Sequence, residues 1–477
     1  GALDPYAVGV RLDGARPSSD DPTCGPEITN RNVLFVTHAA PQSLLDDNAK
    51  LPPTTGERKV QQAVAHAAVA LGFNVSVFNV PTTCDFCGDT PDVGNLSNRM
   101  IDADEAWQQR LREGTKVSWL DAATQAIDAG AYRVVTDGMA TWGADPCHHA
   151  LFTNETYRQR LLMVGFFGGY DPEDEAAGPM YCKLPAHQVL TAWPDAMNTF
   201  IGVHGTQLRP DRDPNRPLQG LILGKNPRAF APGFGWNHDH TGWGYTPECV
   251  RQADSTCSDN PLQYGFGNPQ KQGDPLDTQI TAIKATLQVL LDANITLYTS
   301  CASLEDCNLP EGVKTLGPLK PEHYLDKLAE MSFALGVGYP LLSPAPLDAL
   351  ANGAAFLNPV FASPLPSFTV SALTTNNASS QHDALALLVA ADGSATQQHV
   401  YPVDFTRPAT LVEAALKAHA ERFSAYQPEE LSARRISERV CAAFTQTAAA
   451  KSRAAGSTPF ASKLHNPLPD LTIPPPI

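Results

Sequence analysis

What this chain lacks narrows it first. No apolar run in its 477 residues approaches the about 18–20 needed to cross a bilayer. No signal peptide stands at the start, and Gly1-Ala2-Leu3 reads as a trimmed beginning. Positive charge is scarce: 34 Lys and Arg face 50 Asp and Glu, for a net charge of −16. That balance excludes a broad basic surface for nucleic acid or for anionic lipid. A negatively charged ligand must instead be held by local donors. There is no internal repeat and no low-complexity block. No G-x-S-x-G, H-E-x-x-H or G-x-x-x-x-G-K-S/T occurs where its structural context would support it.

What is present describes a folded protein of more than one core. Hydrophobic residues make up 43% and charged residues 18% of the chain, and its length suits two domains. Ten cysteines accompany N-x-S/T sequons at Asn74, Asn95, Asn154, Asn294 and Asn377, of which Asn74 and Asn294 open predicted strands. With Cys84/Cys87, Cys249/Cys257 and Cys301/Cys307 in loops, they favour an oxidising, secretory compartment. Cys84-x-x-Cys87 with Cys147-His148-His149 is a weaker zinc alternative, because the spacing between the pairs is irregular. Asn237-His238-Asp239-His240 fits an exposed polar loop better than a metal or glycan contact.

Taken in order, residues 1–30 read as an arm tied down by Cys24. Asn32–His38 is a buried strand, followed by a loop and a helix opening at Gly56-Glu57-Arg58. Val60, Val64, Ala67, Ala68 and Leu71 form one face of that helix, which ends at Gly72. A strand over Phe73–Val77 completes a strand–helix–strand unit and starts a parallel sheet. Helix Leu120–Ile127, strands over Tyr132–Asp137 and Leu161–Phe167, and a helix over Leu184–Trp193 follow. The domains predicted are an arm (1–30), a Rossmann-like unit (31–205), a linker (206–217), a second Rossmann-like unit (218–427), and a closing helix and Pro-rich tail (428–477). The second unit opens with a strand over Leu218–Leu223 ending in Gly224-Lys225. Then come an insertion over 226–275, helix Leu276–Leu291, strand Ile295–Thr299 and helix Pro321–Met331. Strand Val400–Asp404, helix Ala409–Tyr426 and a last helix over Pro428–Lys451 close the chain, the last packing back on the first unit.

The organising stretch is Gly336–Pro359. Ser332–Leu335 ends a buried strand, glycines and prolines make a turn, and Leu347, Leu350 and Ala351 at helical spacing mark a helix. Pro346 suits its first turn and Gly353 its end. Ala355-Phe356-Leu357 then returns to the sheet. A strand, a tight turn and a helix start direct N–H groups at one spot and so suit an anion. Asp348 in the first turn is placed to meet ribose hydroxyls. An ordinary βαβ crossover accounts for the same spacing.

The run P-A-P-L-D-A-L-A-N-G-A-A-F-L-N-P resembles the nucleotide-binding signature of the N-acetylglucosaminyltransferase V family (glycosyltransferase family 18), approximately P-A-P-L-E-A-I-A-N-G-x-A-F-L-N-P. The passage Trp193–Gly202 resembles, one residue shorter, that family's F-P-x-T-P-D-N-S-F-L-G. The resemblance implies an α/β fold of GT-B type, two Rossmann-like domains facing a central cleft. It implies an inverting, metal-independent transfer of N-acetylglucosamine from a UDP donor to the 6-hydroxyl of a mannose in N-glycans. The implied partners are a nucleotide sugar and a glycan acceptor, with no nucleic acid, no cofactor and no metal. The implied location is the Golgi lumen, or outside the cell, with the membrane anchor missing from this stretch.

Inverting transfer needs a base for the acceptor hydroxyl and donors for the departing diphosphate. T-G-E-R-K-V-Q-Q aligns with the family's L-G-E-x-x-x-W helix start, which makes Glu57 the expected catalytic base. A first-turn glutamate favoured by the helix dipole is the plainer alternative. For the donor, the expected residues are Lys225, Tyr339, Ser343, Pro344, Ala345, Pro346, Leu347 and Asp348, with Asp348 replacing the family's Glu. Leu341-Leu342 stand where the family has Tyr-Glu, and Val360 where it usually has a lysine. Those departures keep two alternatives open: a transferase of this fold with another donor sugar, or a glycan-binding protein without turnover. Asp211-Arg212-Asp213 resembles the D-x-D of metal-dependent transferases but lies in the linker.

Overall fold

A computed structural model describes residues 24, 28, 31–37, 56–79, 119–137, 146–165, 170, 181–194, 198–203, 208–209, 215–223, 275–301, 304, 309–317, 319, 321–336, 343–366, 377–380, 382–391, 399–404 and 407–446. The chain divides into two compact units. One takes Gly1–Asn48, Thr54–His204 and Ala433–Ile477, and the other takes Ala49–Pro53 and Gly205–Ser432.

In the first unit the elements are β1 (Asn32–Thr37), α1 (Gly56–Ala70), β2 (Asn74–Asn79), α2 (Trp119–Asp128), β3 (Arg133–Asp137), β4 (Leu161–Val164), β5 (Val189–Thr191) and β6 (Thr199–Phe200). Their sheet order is β2-β1-β3-β4-β5-β6, with every pairing parallel. Both faces of a parallel sheet are covered, so its strands carry apolar residues on both sides. Leu34, Val36, Val134, Leu161 and Met163 meet α2 on one face. The helix expected over Leu184–Trp193 is instead a 3-10 turn (Ala186–Gln188) followed by β5. The reason is burial on all sides: Val189 to Trp193 are buried without a break, which suits an inner strand and no amphipathic helix.

The closing helix of the chain belongs to this unit. After a 3-10 turn at Glu429–Leu431 it runs over Ala433–Thr445. Phe444 sits edge-on to Phe73 at 5.1 Å between ring centroids, Arg439 donates to the Ile201 carbonyl at 2.9 Å, and Cys441 is bonded to Cys24. The expected packing of the last helix onto the first unit is thus present, with Cys24 bonded to it; of the expected arm only Cys24 and Ile28 lie within the described residues.

The second unit contains β7 (Gln219–Leu223), α3 (Pro275–Asp292), β8 (Thr296–Thr299), β9 (Lys314–Thr315), α4 (Pro321–Glu330), β10 (Phe333–Gly336), α5 (Ala345–Ala351), β11 (Ala355–Pro366), β12 (Asn377–Ser380), α6 (Asp383–Ala391), β13 (Val400–Asp404) and α7 (Pro408–Glu421). The sheet runs β12-β11-β10-β7-β8-β9, with β13 also beside β11. All pairings are parallel except β11 with β12. Renumbered within the unit, its parallel strands follow 3-2-1-4-5-6, the Rossmann order. Leu287 of α3 and Leu411, Ala415 and Ala418 of α7 cover one face of the sheet. Leu325 and Leu328 of α4 and Ala349 of α5 cover the other. The helix expected to Tyr426 stops at Glu421, where Arg422 turns left-handed.

The centre of this sheet depends on one missing side chain. Gly220 in β7 lies opposite Phe333 in β10, and a Cβ there would stand 2.1 Å from the Phe333 ring. Phe333 is fully buried, so neither residue can yield without moving a strand. Gly220→Ala should therefore lower stability by about 1–3 kcal/mol, read as a lower urea midpoint. An unchanged midpoint would show that Phe333 has room to shift.

Candidate functional site

Strand order selects the edge where a ligand belongs. In the second unit the order reverses between β7 and β10, and Leu223 pairs with Gly336 at their carboxyl ends. Open α/β sheets bind ligands at that reversal, outside the carboxyl ends of the strands. Chain leaving β7 leads to Gly224-Lys225, and chain leaving β10 leads to the organising turn. The two predicted donor segments therefore start from neighbouring strands. Lys225 and Tyr339 themselves lie outside the described residues, as do Leu341 and Leu342 and the insertion at 226–274.

Most of the organising stretch builds α5 and holds it. Gly353 has φ +69° and donates to Leu350 O at 2.8 Å, while Ala354 donates to Ala349 O at 2.9 Å. That is a Schellman closure, which explains the glycine. Asn352 turns its side-chain amide back to Asp348 O at 2.8 Å. The last carbonyls find partners from distant chain. Tyr426 N–H reaches Leu350 O at 2.9 Å and Arg209 N–H reaches Ala351 O at 3.1 Å. Arg216 reaches Gly353 O at 3.3 Å, and Arg209 also pairs with Asp326 at 2.6 Å. A seven-residue helix cannot hold itself, and these contacts supply what it lacks. The segment read as a linker thus fastens the helix through Arg209 and Arg216.

The turn leading into α5 is more occupied than the spacing implied. Pro344 and Pro346 have no N–H to offer. Ala345 N–H is accepted by Ser343 Oγ at 3.3 Å, and Leu347 N–H by Pro344 O at 3.0 Å. A row of unpaired donors from Ser343 to Leu347 is therefore not found, and only the long Ala345–Ser343 bond is weak. Asp348, expected to face a ribose, is only 8% exposed. Its charge, after burial, raises the Tyr324 hydroxyl above its ordinary value, so the carboxylate stands near α4 on the packed side.

A buried polar cluster behind this turn escaped the sequence reading. His382 is fully buried. Its Nδ1 accepts from Leu385 N–H at 3.1 Å, so Nε2 carries the proton and donates to Ser343 O at 3.0 Å. Its own N–H donates to Asn358 Oδ1 at 2.9 Å, and Asn358 Nδ2 donates to Ser380 Oγ at 3.0 Å. Ser380 Oγ in turn donates to Asp383. A partial signal was present: polar Ser380 and Asp383 ahead of apolar Ala384-Leu385 and Leu388-Val389 mark a helix start.

In the first unit Glu57 is the second residue of α1, in the crossover that follows β1. Four residues on, Gln61 is buried. It accepts from Thr37 Oγ1 at 2.6 Å and donates to Val36 O at 3.3 Å. Those bonds fix the start of α1 at the carboxyl end of β1, again beside a reversal of strand order. In the passage Trp193–Gly202, Asn198 holds Tyr170 from both sides, accepting from its N–H and donating to its carbonyl, each at 2.9 Å. The zinc alternative loses a ligand, because Cys147 is bonded to Cys182. His149 is occupied as well, capping Leu151 N–H at 3.1 Å and meeting Asp121 at 3.3 Å. Cys84 and Cys87 lie outside the described residues, as does His238. Asn74, which opens β2, and Asn294, in the turn before β8, are both exposed.

Two Rossmann-like α/β units in one chain, each with a reversal of strand order in its sheet, are the make-up of a GT-B type of fold. Residues 278–464 match the family model described as Glycosyltransferase family 18. Alpha-1,6-mannosylglycoprotein 6-beta-N-acetylglucosaminyltransferase A of Homo sapiens is 28% identical over 158 residues, 32% of this chain and 20% of that protein. The Cricetulus griseus protein of the same description gives the same figures. The match thus spans a fifth of the length of these curated relatives. Among solved structures, sucrose-phosphate synthase from Thermosynechococcus elongatus aligns over 91% of this chain and 99% of its own, with TM-score 0.43 and 13% identity. Acinetobacter baumannii MurG aligns over 87% and 95%, with TM-score 0.34 and 12% identity. The fold assignment rests on this chain's own strand order.

Burial pushes the His382 imidazole down to about 3, against the opposing pull of the Ser343 carbonyl. An unfolded histidine takes a proton near about 6.5, so the folded form refuses one that the unfolded form accepts. The group's contribution to stability is full above pH 6.5 and declines as the pH falls toward 3, by at most about 1.4 kcal/mol per pH unit. Denaturation measured from pH 8 to pH 4 should show this decline, and His382→Asn should flatten that part of it. An identical slope in the variant would sink the assignment.

Proposed function

We propose that this chain is an inverting glycosyltransferase that moves N-acetylglucosamine from UDP to the 6-hydroxyl of a mannose in an N-glycan. The observation that carries the reading is the meeting of β7 and β10 at the strand reversal of the second unit. There the family 18 signature folds as strand, proline turn, short helix and strand. In this reading the nucleotide lies across the carboxyl ends of those strands. Lys225 meets the diphosphate, and the long bond from Ala345 N–H to Ser343 Oγ opens in favour of a phosphate oxygen. Tyr339, Pro344, Pro346 and Leu347 contact the donor in this reading, and Asp348 takes the ribose once it rotates away from Tyr324.

Glu57 acts as the base. It accepts the proton of the acceptor hydroxyl as that oxygen attacks the anomeric carbon. The bond from that carbon to the diphosphate breaks on the opposite side, so the product is inverted and UDP departs with the electron pair. Positive charge near the leaving oxygen is what accelerates this step, and no metal ion is required to supply it. The disulfides Cys24–Cys441 and Cys147–Cys182 support a compartment of the secretory pathway, the Golgi lumen in this reading. No helix among the described residues is long and apolar enough to cross a membrane. Leu341-Leu342, in place of the family's Tyr-Glu, favour one rival, a donor with a different sugar.

Calorimetry with UDP, GDP and their sugars should show UDP binding in EDTA that manganese does not improve, with UDP-N-acetylglucosamine the preferred sugar nucleotide. A different preferred sugar would name the rival, and no nucleotide binding in either condition would leave a glycan-binding protein. Glu57→Gln should cut turnover about 100-fold or more while UDP affinity stays within about twofold. Turnover that survives this change assigns the base elsewhere.

A further inference from the structure

His382 has two ring nitrogens with two different tasks, and only one of them is local. Nδ1 caps the start of α6 by accepting from Leu385 N–H, three residues on. Any short acceptor serves such a cap. Nε2 reaches 39 residues back along the chain to the Ser343 carbonyl, which a short side chain cannot do. The ring is itself seated by Asn358, whose side chain takes the His382 N–H and binds Ser380. Asn358 is the next residue after the β10–β11 pairing, which ends at Leu335 and Leu357. The cluster therefore stands at the carboxyl edge of the sheet and ties β11, β12 and α6 to the turn that leads into α5.

We propose that His382 is a positioning residue for the nucleotide site, holding the Ser343 peptide so that the Ser343 hydroxyl and Ala345 N–H keep one orientation. This rests on the reading of that turn as the donor site. The Ser343 carbonyl is bonded inward to His382, while the Ser343 hydroxyl is bonded forward to Ala345. With the carbonyl released, the peptide can rotate and both groups lose their direction. Asn358 acts one step further out, as the seat of His382. It belongs to the family signature, and this gives it a task without contact with the ligand.

Two substitutions separate the tasks of the ring. His382→Asn keeps an acceptor where Nδ1 stood and gives up the reach to Ser343. His382→Gln places an amide donor near the position of Nε2. UDP is the probe, with amide hydrogen exchange over residues 343–348 as a readout independent of it. His382→Asn should weaken UDP about fivefold and speed exchange over 343–348, with exchange at Leu385 unchanged. His382→Gln should restore both to within about twofold of the unchanged protein. Unaltered exchange over 343–348 in His382→Asn overturns the positioning role, whatever UDP does. Faster exchange with equal UDP affinity overturns the link between that turn and the nucleotide. If the unchanged protein binds no UDP, the donor-site reading falls, and exchange alone decides whether His382 holds the turn.

Discussion

Phe333 to Gly336 make only four residues of strand, all buried, yet the second unit is assembled on them. β10 pairs with β7 on one side and β11 on the other, and the Rossmann order requires this strand to sit at the reversal. Its first residue fills the space left by Gly220. Its last residue pairs with Leu223, so two loops distant in sequence leave the sheet together. Loss of this pairing would separate the signature turn from the chain that follows β7.

The signature stretch can now be divided by the physical work of its residues. Asn352 and Gly353 close α5, the glycine through its left-handed backbone and the asparagine through its amide. Phe356 and Leu357 fill the core. Asn358 seats a buried imidazole. Much of this stretch is thus spent on shaping its own backbone.

Periodic apolar segments were legible in the sequence: β1, α1, α2, β3, α3, α4, β10 and β13 all lie where their patterns place them. The failures have physical causes. Val189 to Thr191 are buried on both faces and carry no periodicity to distinguish strand from helix. α7 ends short of the pattern's bound at Tyr426, at a left-handed turn that nothing in Arg422 announces. β12 and α6 were missed because their start is polar and was not matched to a cap. The candidate turn was legible as a turn and less so as a set of contacts. Spacing located the turn at Ser343–Asp348. It could not show that Ala345 and Leu347 already have hydrogen-bond partners, or that His382, from a later segment, stands behind them.

The bond between Cys24 and Cys441 has a consequence for how the molecule is made. The chain passes from the first unit to the second at Gly205 and returns at Ala433, so nearly all of the second unit is made before the first receives its last part. During synthesis the second unit can complete its sheet as soon as β13 and α7 emerge. The first must wait for its last helix, and with it for the thiol that closes the covalent ring. The part that starts earliest therefore finishes last, and until then its α1 surface stays uncovered. Any folding factor that handles this nascent chain meets the first unit still open after the second has its sheet.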